Sequence, residues 1–189
     1  MGTVDTSQFR KKLKVIIDDQ PWIIVDNDFV KPGKGQAFNR VRLKNLLTGR
    51  TLDKTFKSGE SLQEAEISSA TMQYLYNDGQ NYTFMDVKNY EQVEIPKENI
   101  EEERKWLLEN TECEVQFWGE RVISVTPPIF MDLEVTYTEP VVKGDTATNV
   151  TKKATLETGA EINVPPFIDI GMKIKVDTRT GEYLQRSTN

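Results

Sequence analysis

Apolar and polar residues alternate with a period of two through the first third of the chain, the pattern of strands that bury one face. Leu13-Lys14-Val15-Ile16-Ile17 runs into a turn at Asp18-Asp19-Gln20-Pro21, and Trp22-Ile23-Ile24-Val25 returns. Phe29-Val30 then enters Lys31-Pro32-Gly33-Lys34-Gly35-Gln36, and the chain comes back from Ala37 to Leu47. On that return Val41 and Leu43 share one face, while Arg40, Arg42 and Lys44 share the other, so a basic surface backs an apolar one. Thr48-Gly49-Arg50 is a further turn and Leu52 to Phe56 a further strand. Short strands, tight turns and no helix predict a small SH3-like barrel of about five strands.

Lys57-Ser58-Gly59-Glu60-Ser61 is polar and marks a boundary. Strand patterns resume at Thr71–Tyr76, turn through Asn77-Asp78-Gly79 and continue at Tyr82–Met85; Asn, Asp and Gly tolerate the positive φ that a hairpin turn needs. Ile95-Pro96 opens a predicted helix from Lys97 to Leu108, with Glu98, Glu101, Glu102 and Glu103 crowded where a helix dipole favours acids. After Pro127-Pro128 the pattern is again of strands, at Leu133–Tyr137, Ala154–Leu156, Glu161–Val164 and Lys173–Val176. Residues 119–128 resemble 159–166 in a faint internal echo that two tandem barrels of one type would explain. The expected division is 1–64, 65–127 and 128–189.

Composition narrows the chemistry. The 189 residues include no histidine, which removes Ser-His-Asp and Cys-His triads and His-ligated zinc. The one cysteine, Cys113, has no partner for an intrachain disulfide and is expected to sit in a β core as a small hydrophobe. Met1-Gly2-Thr3-Val4-Asp5 shows no basic segment followed by an apolar stretch, and no window has the apolar run of a membrane span. A cytoplasmic protein without membrane attachment is expected, with most familiar hydrolytic chemistry removed. The net charge of −6 is unevenly spread. Residues 1–64 hold 12 Lys/Arg against 8 Asp/Glu, residues 65–127 hold 5 against 13, and residues 128–189 hold 7 against 9. A basic first segment points to a polyanionic partner.

In Lys31-Pro32-Gly33-Lys34-Gly35 the proline fixes one φ and the glycines flanking Lys34 carry no side chains. Such a tip can place a cation in a crowded anionic site or present an amine to a modifying enzyme; it can equally be a plain Gly/Pro turn with an exposed lysine. It lacks the Gly-Lys-Ser/Thr ending of a nucleotide loop.

The stretch Phe29-Val30-Lys31-Pro32-Gly33-Lys34-Gly35-Gln36-Ala37-Phe38 resembles the tip loop of bacterial translation elongation factor P. So do Thr55-Phe56-Lys57-Ser58, Tyr74-Leu75-Tyr76-Asn77-Asp78-Gly79 and Ile123-Ser124-Val125-Thr126-Pro127-Pro128. Lys143-Gly144-Asp145-Thr146-Ala147, Ala154–Ala160, Val164-Pro165 and Lys175-Val176-Asp177-Thr178-Arg179 extend the likeness through the C-terminal part. The resemblance implies an all-β molecule of three small barrels, a KOW/SH3-like domain and two OB-fold domains, in an L-shaped, tRNA-like arrangement. It implies a monomer that binds the ribosome between the peptidyl-tRNA and exit sites and relieves stalling at consecutive prolines. Lys34 would lie against the peptidyl-tRNA CCA end, lengthened by a modifying enzyme with a β-lysyl group and sometimes hydroxylated. Arg40, Arg42 and Lys44 would neutralise tRNA or rRNA phosphates. Gly144, Asp145 and Thr146 match the family loop that reaches rRNA and the exit-site codon, and Tyr183 and Arg186 a C-terminal family element suited to stacking and phosphate contact. A general RNA- or single-strand-binding OB protein and a divergent paralogue of the factor are the alternatives.

Overall fold

The computed structural model describes residues 2–140 and 150–187. Among them the chain is built from strands, as its periodicity predicts. β1 (Thr3–Asp5), β2 (Lys14–Ile17), β3 (Gln20–Val30), β4 (Phe38–Asn45), β5 (Thr51–Lys57) and β6 (Ser61–Glu64) form one sheet in the order β1-β6-β2-β3-β4-β5. It curls around Val15, Ile24, Val41, Leu43 and Phe56, with the Phe9 ring edge-on to Phe56 at 5.4 Å. In β4 Val41 and Leu43 are fully buried and Arg40, Arg42 and Lys44 exposed, the two-faced strand expected from its sequence. The turn before β3 is tighter than predicted. Asp18 and Asp19 take it alone, both at positive φ (51° and 55°), and Pro21 lies inside β3 opposite Ile16. The sheet has six strands rather than about five, because β1 and β6, each too short to show a period, pair with one another from Thr3↔Gln63 to Asp5↔Ser61.

The second sheet contains β7 (Ser68–Asn77), β8 (Asn81–Asp86), β9 (Gln92–Pro96), β10 (Glu112–Trp118) and β11 (Arg121–Thr126), in the order β11-β10-β7-β8-β9. The third contains β12 (Phe130–Thr138), β13 (Lys152–Leu156), β14 (Glu161–Val164), β15 (Lys173–Asp177) and β16 (Glu182–Arg186), in the order β14-β13-β12-β15-β16. Both follow one plan: the first strand is central and two consecutive pairs of strands flank it. The echo between residues 119–128 and 159–166 does not mark that repetition. It places β11, the last strand of one sheet, against β14, the third strand of the other. What the two strings share is a turn glycine at positive φ, Gly119 (60°) and Gly159 (85°), followed by a strand.

The predicted helix from Lys97 to Leu108 is absent. Two 3-10 turns, Lys97–Asn99 and Glu103–Trp106, stand there instead, separated at Ile100 by φ −137°, ψ 35°. The apolar residues explain why. Ile100, Trp106 and Leu107 are all buried; on one straight helix Ile100 and Leu107 would share a face, but Trp106 would point roughly a third of a turn away from it. Trp106 packs into the core of the third sheet with Leu133, Val135, Leu156, Val164 and Ile174. Cys113 is 2% exposed, as expected of a core thiol, and burial pushes its pKa up to about 12. The chain divides into two compact units, Met1–Ser69 with Gln116–Ser124, and Ala70–Val115 with Val125–Asn189.

Asp177 begins the turn into β16. Its carboxylate accepts from the Arg179 guanidinium at 2.6 and 3.1 Å and from the Arg179 backbone N–H at 2.9 Å, and these hydrogen bonds hold its pKa down at about 2. Because folding lowers this pKa, the contribution is complete above the ordinary aspartate value of about 3.9 and disappears as pH falls to about 2. Asp177→Asn should therefore lower the melting temperature at neutral pH and flatten the loss of stability over that acid window, which melts recorded at stepped pH will measure. Leu133→Ala empties a fully buried site in the same core and should cost about 2–5 kcal/mol in urea unfolding.

Candidate nucleic-acid interface

β3 and β4 pair from Trp22↔Asn45 to Val30↔Phe38, so the seven residues between, 31–37, form the end of a long hairpin. The base of this tip is braced by the turn after β5. The Ala37 carbonyl accepts from the Ser58 N–H at 2.9 Å, and the Gln36 amide donates to the Ser58 carbonyl at 3.3 Å. Gly35 takes φ +108°, which an L side chain resists, and a Cβ there would lie 3.9 Å from the Pro32 ring. A Cβ at Gly33 would meet nothing within 4 Å. Lys31 and Lys34 are exposed and Pro32 half-buried. Among the described residues the Lys34 ammonium has no hydrogen-bond or ion-pair partner, so it stands free at the end of a braced ladder.

Below the tip, buried amides stiffen the ladder. Asn39, 3% exposed, donates to the Asn27 side-chain oxygen at 2.9 Å, and the Asn27 amide donates to the Phe9 carbonyl at 2.9 Å. Asn45, 2% exposed, donates to Gln20 at 2.6 Å and accepts from the backbone N–H groups of Leu47 and Thr48 at 2.8 and 2.9 Å. Each buried polar side chain is thus satisfied, which avoids the cost of desolvating an orphan group.

The outer face of β4 is less basic than its own sequence suggests. Arg40 lies opposite Asp28 on β3 and Thr55 on β5; Arg42 opposite Asp26 and Asp53; Lys44 opposite Ile23 and Thr51. Arg42 donates to Asp53 at 2.9 and 3.4 Å, which raises the guanidinium pKa and lowers that of the carboxyl through the hydrogen bond. Lys11 pairs with Asp26 at 2.9 Å, and that contact lowers the Asp26 pKa. Arg40 and Lys44 carry no ion pair among the described residues. Sequence reasoning missed these three aspartates because it read β4 alone. Asp26 and Asp28 alternate correctly in β3, but only the register, with its irregularity between Ile24 and Asp26, places them opposite the arginines.

The other predicted contact residues fall elsewhere. Tyr183 and Arg186 are both on β16, where Tyr183 is half-buried against the core of the third sheet and Arg186 is exposed. The structure thus gives the Tyr183 ring a packing partner inside the protein. Gly144, Asp145 and Thr146 lie outside the described residues. Among those described, no helix is long and apolar enough to cross a membrane.

A six-stranded sheet carrying a cationic hairpin tip, followed by two five-stranded sheets of one plan, defines an all-β protein built from several small sheets. Family descriptions match the chain in the same order: the KOW-like domain of elongation factor P over residues 5–62, its OB domain over 67–125 and its C-terminal domain over 131–186. Elongation factor P of Magnetococcus marinus is 52% identical over 181 residues, covering 96% of this chain and 97% of its own length. The chain belongs to the elongation factor P family, which acts in translation and is not a family of enzymes. Among solved structures it resembles the eukaryotic translation initiation factor 5A from Methanococcus jannaschii, at 25% identity and a TM-score of 0.57, covering 67% of this chain and 94% of the other. A translation initiation factor 5A family protein from Naegleria fowleri, at 14% identity and a TM-score of 0.51, covers 66% of this chain and 97% of its own and shares the fold.

If Asp53 occupies Arg42, removing the carboxylate frees a cation for phosphate. Asp53→Asn should tighten binding to tRNA and steepen the dependence of log K on log salt by about one contact, or roughly 0.7–0.9 in slope, as read by titrations at several salt concentrations.

Proposed function

We propose that the chain binds the bacterial ribosome between the peptidyl-tRNA and exit sites and promotes peptide-bond formation at consecutive prolines. Membership of the family supports this reading, and the observation that carries it within the molecule is the Lys34 ammonium, without a partner among the described residues, on its braced hairpin. Proline is a poor donor and acceptor because its ring fixes φ and its nitrogen is a hindered secondary amine. A cation held against the CCA end of the peptidyl-tRNA restricts unproductive geometries. The gain is orientational, since a displacement of about an ångström can cost on the order of a hundredfold in rate.

In this reading the domains are 1–64, 65–127 and 128–189, and the protein works in the cytoplasm. Tip residues Lys31, Pro32, Gly33 and Gly35 set the height and direction of Lys34. Arg40 and Lys44 meet phosphates directly, whereas Arg42 does so only by exchanging Asp53 for a phosphate oxygen. Gly144, Asp145, Thr146, Tyr183 and Arg186 contact rRNA, tRNA or the exit-site codon. A lysine-modifying enzyme extends Lys34 with a β-lysyl group, with hydroxylation in some cases. The exposure of Lys34 and the absence of a Cβ on either neighbour suit such an enzyme's approach.

Protein purified from its native cells should restore full-length product in a reconstituted translation reaction on a template with three consecutive prolines. A control template without them should be unaffected. Lys34→Ala should lower the yield on the proline template by about tenfold to a hundredfold. Equal yields with and without the protein would overturn the assignment, and intact mass measurement reads the state of Lys34 in the same preparation.

A further inference from the structure

At the end of β4 away from the tip, a groove of about 650 Å³ opens beside Ile23, Val25 and Ile123, rimmed by Lys11, Lys12 and Lys44. All of these residues belong to the first compact unit. Val25 sits at the irregularity in the β3–β4 register and is 43% exposed, so its aliphatic side chain faces solvent on the outer side of the ladder, next to buried Ile24. Lys12 adopts φ 70°, and its backbone N–H donates to the Ile24 carbonyl at 2.8 Å, which fixes the rim segment against β3. The polar side chains in the lining are already engaged: Asn45 with Gln20 and two backbone N–H groups, and Gln116 with Ser124 at 3.3 Å. What the groove offers a ligand is an aliphatic floor and ammonium groups.

We infer that this groove docks an acidic amphipathic peptide segment of a protein partner, its apolar side chains on Val25 and Ile123 and its carboxylates on Lys12 and Lys44. The lining contains three lysines and no Asp or Glu, in a chain whose net charge is −6, so the site is complementary to carboxylates where the rest of the molecule repels them. Nucleic acid fits less well. Single-stranded recognition depends on stacking against aromatic rings, and no Phe, Tyr or Trp lines this groove. Lys11 contributes least, because Asp26 holds it at 2.9 Å, while Lys12 and Lys44 have no ion-pair partner among the described residues. The inference is independent of the ribosomal reading, although Lys44 serves both surfaces.

The test uses the full chain and a fluorescein-labelled helical peptide with leucine on one face and glutamate on the other. Two control peptides replace leucine by serine or glutamate by lysine, and a single-stranded RNA oligonucleotide serves as a third. The Glu/Leu peptide should bind at least about tenfold more tightly than either peptide control and shift the methyl NMR signals of Ile23, Val25 and Ile123. Lys12→Glu and Val25→Asp, both at exposed positions, should each weaken it about tenfold at unchanged melting temperature. Binding that is equal for the Glu/Ser peptide, or indifferent to both substitutions, would overturn the inference. So would RNA that shifts these methyl signals more strongly than the peptide, or self-association of the chain that hides them in sedimentation and excludes the peptide. None of these outcomes bears on activity at proline runs, which the translation assay reads separately.

Discussion

Eight paired positions from Trp22↔Asn45 to Val30↔Phe38 hold β3 against β4, and the first domain's core, its charged face and its tip all hang on that ladder. Because side chains alternate across a strand, one register decides every role at once. With Val41 and Leu43 inward, Arg40, Arg42 and Lys44 must point outward, and the ladder ends where Lys31 to Ala37 can form a free tip. A slip of one residue would bury three cations and expose the core. The amides of half-buried Asn27 and buried Asn39 and Asn45 reinforce this register, since each bonds to groups that only the correct pairing brings near.

The same register governs how much of the basic charge reaches outward. Four more Lys/Arg than Asp/Glu in residues 1–64 read as a polyanion-binding surface. Folding places Asp26, Asp28 and Asp53 beside the arginines, so the negative charge of this segment is concentrated on the same face as those cations. All of these groups are exposed, where ion pairs are weak and easily exchanged. The face is therefore better suited to reversible contact than to tight, indiscriminate binding of nucleic acid. A cation is also kept at the tip, where Lys34 has no partner among the described residues.

The two later sheets repeat one strand order without repeating one sequence. Their shared plan was only faintly signalled, and the one internal echo falls on strands that are not equivalent. The segment between β9 and β10 shows a related limit. Residues 97–108 have acids at one end and apolar residues at the other, a composition that suits a helix. Burial of Ile100, Trp106 and Leu107 instead breaks the segment into two short turns. Tertiary demand outweighs local propensity there, because burying a large aromatic ring stabilises by more than a turn of helix does.

Local chemistry settled whatever depends on near neighbours in the chain. The two faces of β4, the Asn77-Asp78-Gly79 turn, the glycine-flanked tip and the fate of Cys113 follow from residue type and spacing, since alternation and positive φ are properties of a few consecutive residues. The family, too, was legible, because motifs kept in order along the chain need no coordinates. Whatever depends on which strand lies beside which was not legible. The short strands β1 and β6, the aspartates across from Arg40 and Arg42, the ring of Tyr183 turned to its own core and the groove at Val25 arise from contacts between distant segments. The amino-acid sequence by itself thus determined the faces and turns; tertiary structure alone decided which charges remain free, because an ionic group's availability depends on neighbours that only folding supplies.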